Sequence, residues 1–184
     1  MKHKGTQTLE TERLILRKFK ITDAQNMFDN WASNPNVTKH LIWQPYTNVD
    51  DVRAYIQMCI DGCENKNMYN WVIQYKENDQ AVGNISVVEL KENINAVTIG
   101  YCLSEDYWHK GIMTEAFKRV IDFLFKEVEV NRIESTHDVN NPNSGKVMEK
   151  CGLKYEGTLR KAALSNQGIV DIAVRSILRE EYIP

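Results

Sequence analysis

A strand-like run at 97–103 passes through a short polar loop at 104–110 into the clearest amphipathic helix of the chain, which opens near Gly111. Ile112, Ala116, Phe117, Val120, Ile121 and Leu124 recur at helical spacing on one face, while Glu115, Lys118, Arg119, Asp122 and Lys126 take the other. A helix with so marked an apolar stripe buries it against another layer, so the unit points to helices lying on a sheet. The same unit is suited to anions. The first turn of a helix leaves about four backbone N–H groups unpaired, and the macrodipole adds about half a positive charge there. Gly111 has no Cβ to hold a phosphate group off, and Lys110 and Thr114 add a charge and a hydroxyl beside it. Taken alone, Lys110-Gly111 fits an ordinary helix start as well as a phosphate site.

The rest of the chain alternates in period. Leu14 and Leu16 lie in a β-like stretch, and Thr22-Asp23-Ala24-Gln25 reads as a capping box opening a helix to about Ala32. Residues 33–47, with Pro35 and Pro45, read as a loop that also carries Leu41, Ile42, Trp43 and Tyr46. These side chains either line an acceptor groove or tuck the loop onto the core. Asn48 caps a second helix that ends near Gly62. Strands are expected at 69–75, 81–88, 97–103, 132–139, 153–160 and 169–178, and Asn141 with Pro142 opens a last helix closed by Gly152. No repeat or linker interrupts this order, so residues 1–184 are expected to form one α+β domain.

At 184 residues and 42% hydrophobic, such a domain can bury its core without metal or disulfide staples. A formal charge of -2, spread along the chain, lacks the basic footprint of a nucleic-acid binder. Cys59, Cys63, Cys102 and Cys151 are scattered, with no metal-ligand spacing, which argues for no metal and for reduced thiols in the cytoplasm. Residues 1–12 lack the apolar region of a leader, and no window approaches the ~18 apolar residues of a membrane span.

The segment Tyr107-Trp108-His109-Lys110-Gly111-Ile112-Met113-Thr114-Glu115-Ala116 resembles the coenzyme A pyrophosphate loop of the GNAT acetyltransferase superfamily, in its RimJ/RimL-like variant. Leu9-Glu10-Thr11-Glu12-Arg13-Leu14, Ile99-Gly100-Tyr101, Asn141-Pro142-Asn143-Ser144, Glu149-Lys150-Cys151-Gly152, Tyr155-Glu156-Gly157 and Asp171 extend the resemblance over nearly the whole chain in the right order. It implies a mixed, mostly antiparallel sheet of about seven strands flanked by helices and splayed between 97–103 and 132–139, with the pantetheine of acetyl coenzyme A in the cleft. It also implies that backbone at Cys102 and Leu103 pairs with pantetheine amides. Residues Trp108, His109, Lys110, Gly111, Ile112, Met113 and Thr114 would hold the pyrophosphate, and Asn141 and Ser144 would face the thiol.

Several positions depart from the superfamily pattern. Trp108 stands where many members have Arg or Gln, and His109 replaces a frequent glycine, at a small strain if φ there is positive. Thr98 replaces a Glu general base, and Met148 a Tyr that protonates the leaving thiolate; neither can do that work.

Acetyl transfer needs a neutral amine, donors for a developing oxyanion and a group that steadies the thiolate. Direct attack in a ternary complex meets these needs. Ser144 is expected beside the sulfur, its alternative being a cap in the helix first turn. Backbone N–H groups of Tyr101 and Cys102 are expected to meet the oxyanion, and Asn141 to order the cofactor. Glu89 and His137 are the candidate bases. Cys102 and Cys151 read as small buried hydrophobes rather than acetyl carriers. The resemblance implies a protein N-terminal α-amine of the ribosomal-protein type as the acceptor. A small amine, such as an antibiotic or polyamine, is the alternative acceptor, and a non-catalytic acyl coenzyme A sensor is the alternative of another class. The pattern is compatible with a homodimer as well as a monomer.

Overall fold

The computed structural model describes residues 1–183. In chain order it contains β1 (Leu9–Glu10), β2 (Leu14–Arg17), α1 (Ala24–Met27), α2 (Pro35–Thr38), α3 (Val49–Asp61), β3 (Asn70–Tyr75), β4 (Gln80–Lys91), β5 (Ala96–Leu103), α4 (Ile112–Phe123), β6 (Arg132–Asp138), α5 (Pro142–Lys150), β7 (Lys154–Ser165) and β8 (Gly168–Leu178). The strands make one open sheet in the order β1-β2-β3-β4-β5-β6-β8-β7. Every neighbouring pair is antiparallel except β5 and β6, whose parallel pairing needs the crossover that α4 supplies.

The sheet has eight strands where the sequence suggests seven, because β1 is two residues long and too short to show alternation. The first helix also starts differently. The Asp23 carboxylate accepts the N–H of Lys20 at 2.7 Å, so Asp23, and not Thr22, closes the first turn, and the helix finishes in a π turn at Phe28–Ala32. Asn48 and Asn141 cap α3 and α5 as expected, each side chain accepting an amide of the first turn.

Pleating divides the core between the two faces of the sheet. Trp71 and Ile73 of β3 face α4, whose Ala116, Phe117, Val120 and Ile121 are buried against Val97 and Ile99 of β5. Val72, between them in sequence, points to the opposite face, where Trp31, Val52 and Ile56 pack. No helix among the described residues is long and apolar enough to cross a membrane.

β5 and β6 pair through only three residues, Ala96↔Arg132, Val97↔Ile133 and Thr98↔Glu134. Beyond them β5 follows β4 to Leu103 while β6 follows β8 to Asp138, so the sheet splays open. The closed end is tied by the Glu134 carboxylate, which accepts from Thr98 Oγ1 at 3.1 Å, from Arg132 Nε at 3.0 Å and from Lys91 Nζ. The buried Ser135 hydroxyl, donating to the Ile99 carbonyl at 2.7 Å, is the next link across the widening gap.

Phe117 is fully buried beneath the split and packs its ring 5.5 Å from that of Tyr101. Phe117→Ala is expected to lower stability by about 3–5 kcal/mol. Urea denaturation checks this: the midpoint should fall while the slope stays that of the parent protein.

Candidate active site

The loop between β5 and α4 is shaped by two left-handed residues, His109 at φ 61 and Gly111 at φ 76. A Cβ at Gly111 would meet only Arg13 Nη2 at 3.6 Å, so glycine is favoured there by its backbone angle and not by crowding. His109 does adopt the positive φ and carries a strain of roughly 1–2 kcal/mol. Left-handed residues of this kind occur in turns whose successive N–H groups form anion-binding concavities. Among the described residues, no protein acceptor meets the backbone N–H of any residue from His109 to Thr114. The first α4 amide with a backbone partner is Glu115, which donates to Gly111 at 3.0 Å.

A network that residue types alone did not reveal holds this loop. Glu115 accepts from the Thr11 hydroxyl at 2.6 Å, from the Arg13 backbone at 3.0 Å and from Arg13 Nε at 2.7 Å. Arg13 Nη1 then donates to the Lys110 carbonyl at 3.0 Å. The N-terminal segment is thereby bolted to the loop, in the same Thr11-Glu12-Arg13 stretch that carries part of the family resemblance. On the other side the Trp108 indole N–H donates to the Leu103 carbonyl at 2.8 Å and fastens the loop to the end of β5. The indole of Trp108 is thus engaged within the protein. Lys110 lies with its ammonium 5.4 Å from the centroid of the Tyr107 ring.

The period of β5 decides which backbone groups face the split. The Ile99 carbonyl points to β6, where it receives the Ser135 hydroxyl, whereas Ser104 N–H points back to Val82 on β4. Odd-numbered residues therefore aim their N–H and C=O groups at the split. This gives the amides of Tyr101 and Leu103 to the cleft and corrects the expectation for Cys102, whose amide faces β4. The Cys102 thiol is buried against Asn84 Oδ1 at 2.8 Å, and burial pushes its pKa up to about 12. Burial likewise pushes the Cys151 thiol up to about 12, so both act as buried hydrophobes.

Across the split stands the start of α5. Asn141 caps it, its side-chain oxygen accepting from Ser144 N–H at 3.4 Å. The cap is thus Asn141, and the Ser144 hydroxyl is left for another contact: it lies 2.9 Å from the Tyr101 hydroxyl, which also reaches the Ser144 carbonyl at 3.0 Å. Burial raises the pKa of Tyr101, so its phenol stays protonated.

The structure separates Glu89 from this cluster and packs His137 beneath the turn of α5 that follows Ser144. Glu89 is exposed on β4 opposite Thr98, at the closed end of the split, where it accepts from the Thr98 hydroxyl at 3.1 Å and lines a surface hollow of ≈ 270 Å³ that shares no residue with the open end. His137 lies on β6, but Nδ1 faces the Asp138 carbonyl at 2.9 Å and Nε2 lies under Gly145, 2.6 Å from where a Cβ would stand.

Residues 33–47 form a strap across the mouth of the split, a role that composition could not show. Asn34 and Asn36 donate to the Glu105 carboxylate just beyond β5, at 3.0 Å and 3.1 Å. His40 reaches Asp138 at the end of β6 at 2.8 Å. Asn166, in the β7–β8 turn, donates from its side chain to the carbonyls of Thr38 and Trp43, at 2.9 Å and 2.7 Å.

Glu115 couples loop geometry to pH. Burial raises its pKa, but the Thr11 hydroxyl and the Arg13 backbone and guanidinium outweigh that and hold the carboxyl below its ordinary value. Its stabilisation is therefore present above the unfolded-state pKa and lost as pH falls through the folded one. Glu115→Gln is expected to cost about 1–3 kcal/mol at neutral pH. In urea melts the gap between variant and parent should close as the medium is acidified below about pH 4.

The acetyltransferase (GNAT) domain model matches residues 13–154. The chain is 33% identical to the uncharacterized N-acetyltransferase p20 of Bacillus licheniformis over 96% of this chain and 98% of that one. It is 21% identical to the ribosomal protein uS5-alanine N-acetyltransferase of Escherichia coli, covering 96% and 93%. The crystal structure of a GNAT-family acetyltransferase from Bacillus anthracis superposes with a TM-score of 0.82 at 25% identity, over 95% of this chain and 99% of that one. With the splayed sheet and the unpaired amide loop in place, the chain belongs to the GNAT family of acetyl coenzyme A-dependent N-acetyltransferases.

Proposed function

We propose that the chain acetylates a protein N-terminal α-amine, of the ribosomal-protein type, by direct attack within a ternary complex. The observation that carries the cofactor site is the run of backbone amides at 109–114 that no protein acceptor satisfies. Such groups, ahead of a helix of 12 residues, suit a pyrophosphate. His109 through Met113 supply the donors, with the Lys110 charge and the Thr114 hydroxyl beside them. When bound, acetyl coenzyme A supplies a thioester carbonyl that an amine can attack and a thiol that can leave.

The remaining work falls to residues of this chain. The Tyr101 and Leu103 amides, facing the split, bind the pantetheine and receive the oxyanion in the water-poor gap between β5 and β6. In the reacting complex the single Tyr101 phenol proton goes to Ser144 Oγ, 2.9 Å away, in place of the Ser144 carbonyl at 3.0 Å, which frees the Ser144 proton to point at the departing sulfur. Tyr101 thereby takes over, through Ser144, the support that Met148 cannot give, since Met148 is buried in the core. Asn141 fixes the first turn of α5 and with it the position of Ser144. The likeness to the uS5-alanine enzyme supports a protein N-terminus as acceptor.

Thiol release from acetyl coenzyme A, measured with a panel of N-terminal peptides and small amines, tests the reading. Release with peptides alone is expected. Release with small amines alone would move the acceptor to that class, and tight cofactor binding without release would make the chain a sensor. Ser144→Ala is expected to lower kcat about 10-fold or more with cofactor affinity intact, and an unchanged kcat would remove the hydroxyl from the mechanism. Gly111→Val, which forces a branched residue to positive φ, should abolish cofactor binding by calorimetry.

A further inference from the structure

His40 and Asp138 form a pair whose construction exceeds what a loop latch needs. They lie 98 residues apart, yet His40 Nδ1 meets Asp138 Oδ2 at 2.8 Å, with side-chain exposures of 18% and 2%. The other Asp138 oxygen accepts the Asn140 N–H at 2.8 Å, so the carboxylate is oriented from both sides. Burial raises the Asp138 pKa, but the Asn140 amide and His40 outweigh it and hold the carboxyl below its ordinary value, so it stays an acceptor. An ionised acceptor at Nδ1 makes that nitrogen the one that carries the hydrogen, and leaves the lone pair on Nε2. Among the described residues, Nε2 of His40 has no partner.

The position of the pair matters as much as its geometry. Asp138 ends β6, the wall of the split opposite β5, and its carbonyl accepts the Asn141 N–H at 2.8 Å. One turn of α5 further on is Ser144. His40 therefore hangs from the strap at the open mouth, at the end of β6 that leads into α5 and on the sheet face opposite His137, whereas Glu89 is at the closed end. The charged or titratable groups on the surrounding elements are Asp138 and His137 of β6, Asp171 of β8, Lys39 of the strap and Glu105 beyond β5. Only Asp138 bonds the imidazole. The Asp171 carboxylate is engaged by Lys161 N–H at 2.7 Å, and Glu105 by Asn34 and Asn36.

We propose that His40 is the catalytic base for the acceptor amine and that Asp138 is its positioning residue, a role that rests on the transfer reading above. As the amine nitrogen bonds to the acyl carbon and the carbon–sulfur bond breaks, one N–H proton passes to His40 Nε2. The imidazolium so formed is balanced by the Asp138 carboxylate and returns its proton to water. The Ser144 hydroxyl steadies the thiolate by a hydrogen bond and keeps its own proton, and the thiolate takes its proton from water, so proton removal and thiolate support fall to separate groups.

The first test needs no cofactor. Nitrogen NMR of the free protein should show His40 with hydrogen on Nδ1 and Nε2 bare, and Asp138→Asn should mix or reverse that tautomer. A parent protein protonated on Nε2 in its neutral form overturns the proposal. In kinetics, His40→Gln can keep the bond to Asp138 but cannot take the proton. It should lower kcat about 10²-fold, leave acetyl coenzyme A affinity unchanged by calorimetry, and erase the acid limb of the kcat/KM profile. A kcat within about twofold of the parent overturns the assignment. Asn166→Ala, which loosens the strap without touching the imidazole, separates chemistry from latching: the acid limb should survive, and its loss there as in His40→Gln overturns the proposal. If the parent protein binds the cofactor but releases no thiol with any amine, the transfer reading itself falls and takes this one with it.

Discussion

Three residue pairs hold β5 to β6, and the cleft proposed for the cofactor begins where they stop. A parallel pair that ran on to Leu103 would satisfy the amides of Tyr101 and Leu103 within the sheet and leave no cleft. Divergence instead leaves polar backbone in a partly buried gap, a costly condition unless a ligand or water completes the hydrogen bonds. The closed end must therefore be secure. Glu134 gathers Thr98, Lys91 and Arg132 there, and the buried Ser135 hydroxyl takes the Ile99 carbonyl as the strands begin to separate.

The amide loop extends the same logic past the end of β5. Unpaired N–H groups and a left-handed His109 are both unfavourable in the free protein, so the loop needs restraint from outside itself. Glu115 provides it by accepting from Thr11 and Arg13, and Arg13 passes the restraint to the Lys110 carbonyl. Trp108 fixes the opposite side through the Leu103 carbonyl. A pyrophosphate bound here as proposed would meet a loop already restrained, with little ordering left to be done on binding.

What could be read from residues alone tracks the range of the interactions involved. The amphipathic face of α4, the Asn48 and Asn141 caps and the Gly111 turn are local, and each was legible in a window of a dozen residues or fewer. β1 was not, because two residues carry no period, and the Asp23 cap was displaced because its carboxylate reaches back to Lys20. Among candidate site residues the family resemblance marked segments that the fold brings to the split, the β5–α4 loop and the start of α5. It could not tell that alternate residues of β5 turn to opposite neighbours, which favours Leu103 over Cys102. Nor could it tell that Tyr101 meets Ser144 across 43 residues.

The strap is the extreme case, since its meaning lies wholly in contacts distant in sequence. Residues 33–47 read as a proline-containing loop with stray aromatics. In the fold they link Glu105 beyond β5, Asp138 at the end of β6 and Asn166 in the β7–β8 turn. In the proposed site, cofactor recognition would depend on backbone donors and a glycine, which constrain few side chains and so would leave a portable signature. Acceptor recognition, if it falls to the strap, would depend on the side chains of a crossing segment, with Ile42 exposed to 81%, and these would be free to vary from one acceptor to the next. Placing the base on this strap would join proton removal to acceptor choice. An amine that did not seat beneath the strap would also fail to meet the imidazole, so a poor fit would cost rate as well as affinity.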